Sequence, residues 1–275
     1  MKKIYIRGIF LPLIILIFLQ NSALLFAQRT EFQFDNTKAE GISVFRSAKD
    51  GLRFSYHIPR MSLNTVEENG FSGQVIELQG IYLPADEGNP NLPAISRYIA
   101  LPQGATANLN ILSVQKQVIP NVDLMAAPNI PLGNDDNPLS YNRKADIYGK
   151  NAFFPNEPFI LGNQTQLRGV DVVMFSFTPF QYNPVTKELV VYHNIEAEIV
   201  FNDGNGQVGD NRLRSPWWDP IIKDHVLNSN ILPEIDYAAR TREWLGNRNQ
   251  GAEYLIITPT GQAFAQWADS IRVFR

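Results

Sequence analysis

Apolar and polar residues alternate one by one along several short stretches of this chain. In the clearest stretch, Ile195, Ala197 and Ile199 are separated by Glu196 and Glu198. Successive side chains of a strand point to opposite faces of the sheet, so this period of two predicts strands with one buried and one wet face. Such one-sided burial is typical of antiparallel sheets.

Turn residues separate these stretches at nearly regular intervals. Asp50-Gly51 suits a tight hairpin, and Asn183-Pro184 with Lys187 forms a second turn. The predicted strands are 42–46, 52–58, 74–79, 95–101, 107–113, 170–177, 188–192 and 195–201. Residues 170–177 are apolar on both faces apart from Asp171 and Ser176, which predicts a central strand covered on both sides. Short strands with this spacing predict a mainly β fold over residues 28–210, an antiparallel β-sandwich or jelly roll.

Residues 121–158 contain five prolines and little periodicity, which predicts a long loop. Long loops in compact domains are often functional or mobile. Arg143 and Lys144 lie in this loop. They are either a solvated basic pair or basic side chains offered to the pocket of a protease.

The pattern changes again after residue 210. Residues 211–250 predict a connecting segment with short helical pieces, in which Trp217-Trp218 is either a platform for sugars or a pin against a neighbouring domain. Residues 254–258 form a continuous apolar strand, and the next apolar residues lie on one helical stripe. That stripe consists of Phe264, Trp267, Ile271 and Phe274. We therefore expect residues 251–275 to be the first strand and helix of a truncated α/β domain.

The amino terminus has the organisation of a secretory signal peptide. Lys2, Lys3 and Arg7 precede an apolar run of eleven residues at 9–19, and Ala27 is a small residue suited to cleavage before residue 28. The run is shorter than the roughly 20 apolar residues that a membrane anchor needs. We therefore expect a secreted or cell-surface protein with no membrane contact after cleavage. The absence of cysteine predicts that burial alone, without disulfides, stabilises the fold.

Charge and composition argue against several functions. The formal net charge of the whole chain is −3, and residues 1–27 contain three basic residues and no acidic ones, so the remainder is more acidic still. Binding to nucleic acid requires a basic face. The chain has three histidines and no cysteine, and no motif of a serine hydrolase or zinc peptidase occurs. The 202–211 loop lacks the closing glutamate of a calcium site. We expect no catalytic residue, metal or cofactor.

Several motifs resemble one family of secreted enzymes. The first is a Gly-x-Pro-x-Leu-Pro segment followed by Leu-Pro, the second opens a strand with Arg-Gly, and the third is Tyr-Asn-Pro before the next strand. The residues are Gly88, Pro90, Leu92, Pro93, Leu101, Pro102, Arg168, Gly169, Tyr182, Asn183 and Pro184. Together with EYLIITP at 253–259, they resemble the precursors of gingipain-type cysteine peptidases, the C25 family.

The resemblance implies a role that needs no catalytic residue. In that family a β-rich propeptide assists folding, blocks the active site and is removed, often after arginine. Residues 28–245 would then be the propeptide, Arg240, Arg242 and Arg248 the candidate processing sites, and the partner its own or a cognate cysteine peptidase domain. The alternative is a secreted, non-catalytic β-sandwich module that binds a glycan or a cell-surface partner through Trp217-Trp218.

Overall fold

The computed structural model describes residues 29–80, 82–83, 85–130, 138–246 and 256–274. Strands dominate this part of the chain, and four α-helices and two short 3-10 helices accompany them. The strands are β1 Arg29–Gln33, β2 Gly41–Ala48, β3 Gly51–His57, β4 Arg60–Glu68, β5 Phe71–Glu77, β6 Ile95–Ala100, β7 Ala105–Ile119, β8 Phe159–Leu167, β9 Val170–Phe177, β10 Phe180–Asn183 and β11 Glu188–Asp203. The helices are α1 Ala145–Tyr148, α2 Asp219–His225, α3 Tyr237–Gly246 and α4 Gln262–Phe274. The mainly β prediction is confirmed.

The strands form three antiparallel sheets. The largest has the order β10-β11-β3-β2, with β7 paired to β11 as its fifth strand. The second has the order β6-β9-β8, and the third the order β1-β4-β5. β11 holds the largest sheet together, because its 16 residues pair with β7, β3 and β10.

The main core lies between the largest sheet and the β6-β9-β8 sheet. Phe54 and Tyr56 of β3 meet Phe175 and Phe177 of β9 edge to face, with ring centroids 5.3 and 4.9 Å apart. All four rings are almost completely buried. Such edge-to-face pairs add specific attraction to the large apolar area that each ring buries. The antiparallel sandwich is thus confirmed, and a jelly-roll strand order stays a prediction.

β9 is covered on both of its faces, as its sequence predicts. Val173 and the two phenylalanines face the main core. Val170 and Val172 face a second cluster that contains Ile222 of α2 and Val226, the residue that follows this helix. The first half of the predicted connecting segment therefore packs onto the sandwich.

Other elements differ from the sequence pattern. The pattern does not predict β1, β4, β8 or β10. It also divides β11 into two pieces, where the structure has one strand with register shifts at 192–194 and 196–197. Of the predicted strand at 254–258, the described part from residue 256 onward has no regular structure. The helix that follows is confirmed as α4, and Phe264, Trp267 and Ile271 are exposed on it. Within the described residues no helix is long and apolar enough to cross a membrane.

Candidate inhibitory and processing sites

Residues 122–127 organise one end of the sandwich. Their five apolar side chains are at most 2% exposed: Val122, Leu124, Met125, Ala126 and Ala127. The segment pairs in parallel with β5 through a bridge between Gln74 and Leu124, and the Gln74 amide donates to the Asp123 carbonyl at 2.7 Å. Four of the candidate residues contact this segment, namely Gly88, Pro90, Arg143 and Tyr182.

The proline-rich family segment runs beside residues 122–127. The amides of Gly88 and Asn91 donate to the carbonyls of Ala127 and Met125 at 2.9 and 3.0 Å. Pro90 has no amide to donate, and it lies buried opposite Ala126. Leu92 reaches the main core, where it is 4% exposed. Pro93 follows it, and its carbonyl accepts a hydrogen bond from the Thr178 hydroxyl.

Gly88 is required by its backbone and by its neighbours. Its φ of +74° lies in the left-handed region that favours glycine. A Cβ atom at this position would lie 2.9 Å from the Asn142 carbonyl oxygen and from Cγ of Lys144. The Lys144 amide donates to the Gly88 carbonyl at 3.0 Å. This contact brings the first family motif against the basic pair, which the sequence alone does not show.

Tyr182 and Asn183 anchor the same region from β10. The buried Tyr182 hydroxyl donates to the Val122 carbonyl at 2.9 Å and accepts from the Leu124 amide at 3.3 Å. Burial raises the pKa of this phenol. The Asn183 side chain accepts from two amides of the turn that contains Pro184, and its amide group donates to the Asn151 side chain.

Arg143 is held by contacts on several sides. Its guanidinium donates to an Asp123 carboxylate oxygen at 2.7 Å and lies 4.9 Å from the centroid of the Tyr148 ring. Lys187 binds the other Asp123 oxygen at 3.0 Å. Partial burial acts to raise the pKa of Asp123, but the two cations outweigh burial and hold the pKa below its ordinary value. The carboxylate therefore stays ionised and continues to hold Arg143.

Lys144 differs from its neighbour. Its backbone is fixed, because its amide donates to the Gly88 carbonyl and its own carbonyl accepts from the amide of Tyr148, the last residue of α1. Its ammonium group has no hydrogen-bond or ion-pair partner among the described residues. The structure thus presents one free basic side chain on a rigid backbone, next to a tethered one.

The remaining family residues lie at the opposite end of β6 and β9. Leu101 is fully buried and its amide donates to the Asp171 carbonyl, while buried Pro102 precedes the turn into β7. Arg168 and Gly169 both have positive φ, which is the conformation of a tight hairpin between β8 and β9. The Arg168 guanidinium lies 4.2 Å from the centroid of the Trp218 ring. Trp218 therefore joins α2 to this hairpin.

Trp217 has a different environment from Trp218 and is 83% exposed. The groove beside Trp218 is lined by the apolar side chains of Leu167, Ile221 and Ile222 together with Tyr98, Gln166, Arg168 and His225.

The candidate processing residues fall in different environments. The Arg240 guanidinium donates to the carbonyls of Asn211, Arg212 and Arg214 at 3.0–3.3 Å, which attaches α3 to the sandwich. Arg242 is exposed on the same helix. Ala27 and Arg248 lie outside the described residues.

The described residues contain no group of three or more histidine, aspartate or glutamate side chains that could hold a metal ion. His57 and His193 lie in strands, as predicted, and His225 is on α2.

The C25 propeptide family matches residues 34–213 of the chain, nearly two thirds of its length. The chain belongs to the C25 propeptide family. Lys-gingipain HG66 of Porphyromonas gingivalis is 26% identical over 264 residues, and gingipain R1 of the same organism is 32% identical over 126 residues. These alignments cover 87% and 44% of this propeptide chain but only 15% and 12% of the relatives. The chain thus spans a small part of the curated relatives that it matches.

Two solved structures have the fold of this C25 propeptide. A complex of Porphyromonas gingivalis RgpB pro- and mature domains matches with a TM-score of 0.57 and 22% identity, over 68% of this chain and 97% of that one. A structure that concerns the zymogenic latency of gingipain K from Porphyromonas gingivalis matches with a TM-score of 0.54 and 23% identity. This match covers 64% of this chain and 99% of that one. Both matches support the β-sandwich assignment.

The 122–127 segment is the part of the propeptide site that the sequence prediction missed. Its run of apolar residues, VDLMAA, is visible in the sequence but stands inside a proline-rich stretch. The backbone of this segment bonds β5, residues 88–91 and Lys187 in turn instead of one strand partner. Its apolar residues therefore follow no regular period, and the pattern places them in the loop.

Proposed function

We propose that this chain is exported through residues 1–27 and that residues 28–245 then inhibit a gingipain-type cysteine peptidase domain and assist its folding. The observation that carries the proposal is the family match over residues 34–213, which covers most of the sandwich. It is supported by the fold shared with the pro-domain of a pro- and mature-domain complex. We further propose that proteolysis after an arginine of the 211–250 segment removes the propeptide.

Inhibition by a propeptide requires a rigid surface that fills a cleft, and no acid-base chemistry. Lys144 fits this requirement because its backbone is fixed by Gly88 and Tyr148, while its exposed side chain has no ion-pair or hydrogen-bond partner in the described part of the chain. Arg143 would first have to leave Asp123 and the Tyr148 ring. We therefore propose Lys144 as the basic side chain offered to the peptidase pocket and Arg143 as its support.

The test is inhibition of a gingipain peptidase domain by the full chain. Residual hydrolysis of a peptide substrate is measured against inhibitor concentration. We expect stoichiometric inhibition by the unaltered chain. Lys144→Ala should raise the inhibition constant about tenfold, which corresponds to a loss of about 1.4 kcal/mol of binding free energy for one anchoring contact. Lys150→Ala is the matched control, since it removes another exposed lysine just beyond α1. Full peptidase activity at high molar excess of the chain would refute the inhibitory role.

Processing is expected to depend on the anchor that Arg240 provides. Arg240→Ala removes three bonds between α3 and the 211–214 carbonyls, so the helix should unwind more often and cleavage after Arg242 should accelerate several-fold. Mass spectrometry of fragments released by an arginine-specific peptidase measures this rate. Arg242→Ala should abolish that fragment without changing cleavage elsewhere. An unchanged rate in Arg240→Ala would contradict the anchoring role.

A further inference from the structure

A short segment between β1 and β2 packs over two histidines. We name residues 34–40 the strap. The Phe34 ring stacks on the His193 imidazole with centroids 4.7 Å apart and planes inclined by 2°. The Phe34 amide donates to the Pro59 carbonyl at 2.8 Å, and His57 Nε2 lies 2.6 Å from the Asp35 carbonyl oxygen. The strap is therefore attached through two imidazole rings, through one backbone bond and through the packing of Phe34 against the main core.

The two rings come from adjacent strands. His57 ends β3 and pairs with Asn194, so it lies next to His193, the extra residue at a register shift in β11. His57 is 2% exposed. In both rings Nδ1 is buried and has no hydrogen-bond partner among the described residues. Since the Asp35 carbonyl can only accept, His57 donates to it from Nε2.

The surroundings of His193, taken together, disfavour its protonation. Burial is the largest effect that lowers the pKa of His193, and His57 from β3 and Lys38 from the strap act in the same direction. Asp35 of the strap acts the other way, and it is the only acidic group among these neighbours. Its carboxylate is already engaged with the amide and hydroxyl of Thr37.

One effect could favour the charged ring. An imidazolium stacked on the face of Phe34 would gain about 0.5–1 kcal/mol from the cation-π interaction. A protonated ring, however, carries a second N–H at a buried position without an acceptor, which costs about 1–3 kcal/mol. The orphaned donor outweighs the cation-π attraction.

We propose that the strap is a pH-released latch, in which protonation of His193 detaches Phe34 and opens residues 34–40. The attached state favours neutral His193, and the detached state takes up the proton more readily. Above the ordinary pKa of 6.5 both states are neutral and the latch has its full strength. As the pH falls through 6.5 toward the lowered pKa of the attached state, the latch weakens. This inference does not depend on the proposed inhibitory function.

The test measures amide hydrogen exchange of the full chain by NMR between pH 7.5 and 5.5, corrected for the intrinsic pH dependence of exchange. Exchange of the Phe34 amide should accelerate several-fold relative to the amides of β9. His193→Phe keeps an aromatic ring for Phe34 to stack on but cannot be protonated, so its strap should respond little to pH. His225→Gln replaces an exposed histidine on α2 and should behave like the unaltered chain.

Two results would overturn the latch. One is protection of the Phe34 amide that does not change with pH, or that changes equally in His193→Phe. The other comes from the unaltered chain and is independent of how the variants fold. If the His193 imidazole titrates at or above pH 6.5 in the folded protein, its protonation cannot favour the detached strap.

Discussion

Replacing Asp219 by alanine is expected to lower the free energy of unfolding by about 3–5 kcal/mol, the cost of leaving one partner of a buried ion pair alone. The Arg214 side chain is fully buried and donates to both carboxylate oxygens of Asp219 at 2.9 and 2.7 Å. A third bond reaches the Pro233 carbonyl. Without Asp219 the guanidinium would remain buried with most of its donors unpaired, and α2 would lose its attachment to the 211–214 segment.

Urea unfolding of the full chain measures this effect. Asp210→Ala is the matched control, because Arg212 also binds both oxygens of Asp210 but its side chain is 88% exposed. Exposed pairs contribute about 0–1 kcal/mol, so the control should lose little. The double variant Arg214→Met/Asp219→Leu removes both charges and should be more stable than Asp219→Ala alone. Equal losses of unfolding free energy in Asp219→Ala and Asp210→Ala would show that burial does not determine how much the ion pair stabilises the protein.

The same ion pair gives a pH dependence with a defined sign. Burial acts to raise the pKa of Asp219, but Arg214 outweighs it and holds the pKa below the ordinary 3.8. A carboxyl group whose pKa is lowered by folding stabilises the protein above its ordinary pKa, and this stability is lost as the pH falls through the lowered value. Below pH 4 the free energy of unfolding of Asp219→Ala should therefore fall less with decreasing pH than that of the unaltered chain.

The parts of the fold that the sequence predicts are those whose environment repeats with the strand period. Residues 195–201 alternate because one face of β11 lies in the main core, and β9 is apolar throughout because two clusters cover it. Asp50-Gly51 predicts a hairpin, and Gly51 is also needed because a Cβ atom there would clash with the Ile199 carbonyl oxygen. Local pattern and tertiary packing agree at these positions.

The sequence fails where long-range contacts decide the structure. β8 is largely polar and exposed, and its strand conformation depends on pairing with β9. Arg143 and Lys144 are equivalent by composition, and only the positions of Asp123, Tyr148 and Gly88 make one tethered and the other free. The family residues Gly88 and Tyr182 are separated by more than 90 positions, and the buried 122–127 segment joins them.

Replacing Asn228 by alanine is expected to lower the free energy of unfolding by about 2–4 kcal/mol. Asn228 is completely buried, and its side-chain amide bonds the backbone of Ala100 twice. Its Oδ1 accepts from the Ala100 amide at 2.8 Å, and its Nδ2 donates to the Ala100 carbonyl at 2.9 Å. Asn228 thus takes the place of a strand partner at the edge of β6. Alanine would leave a buried donor and a buried acceptor unpaired, each costing about 1–3 kcal/mol.

Two further variants separate the hydrogen bonds from simple loss of volume, and chemical denaturation measures all three. Asn228→Asp has almost the same shape but replaces the donor to Ala100 with an acceptor, so it should be at least as destabilising at neutral pH as the alanine variant. Asn230→Ala removes an exposed asparagine that bonds Ser47 from the same segment, and it should cost about 1 kcal/mol or less. If Asn228→Asp were as stable as the unaltered chain, the paired bonds to Ala100 would not be what closes this edge. If it loses stability as expected, closure of the β6 edge at Ala100 depends on one amide group, because no other side chain in the described residues bonds both polar groups of Ala100.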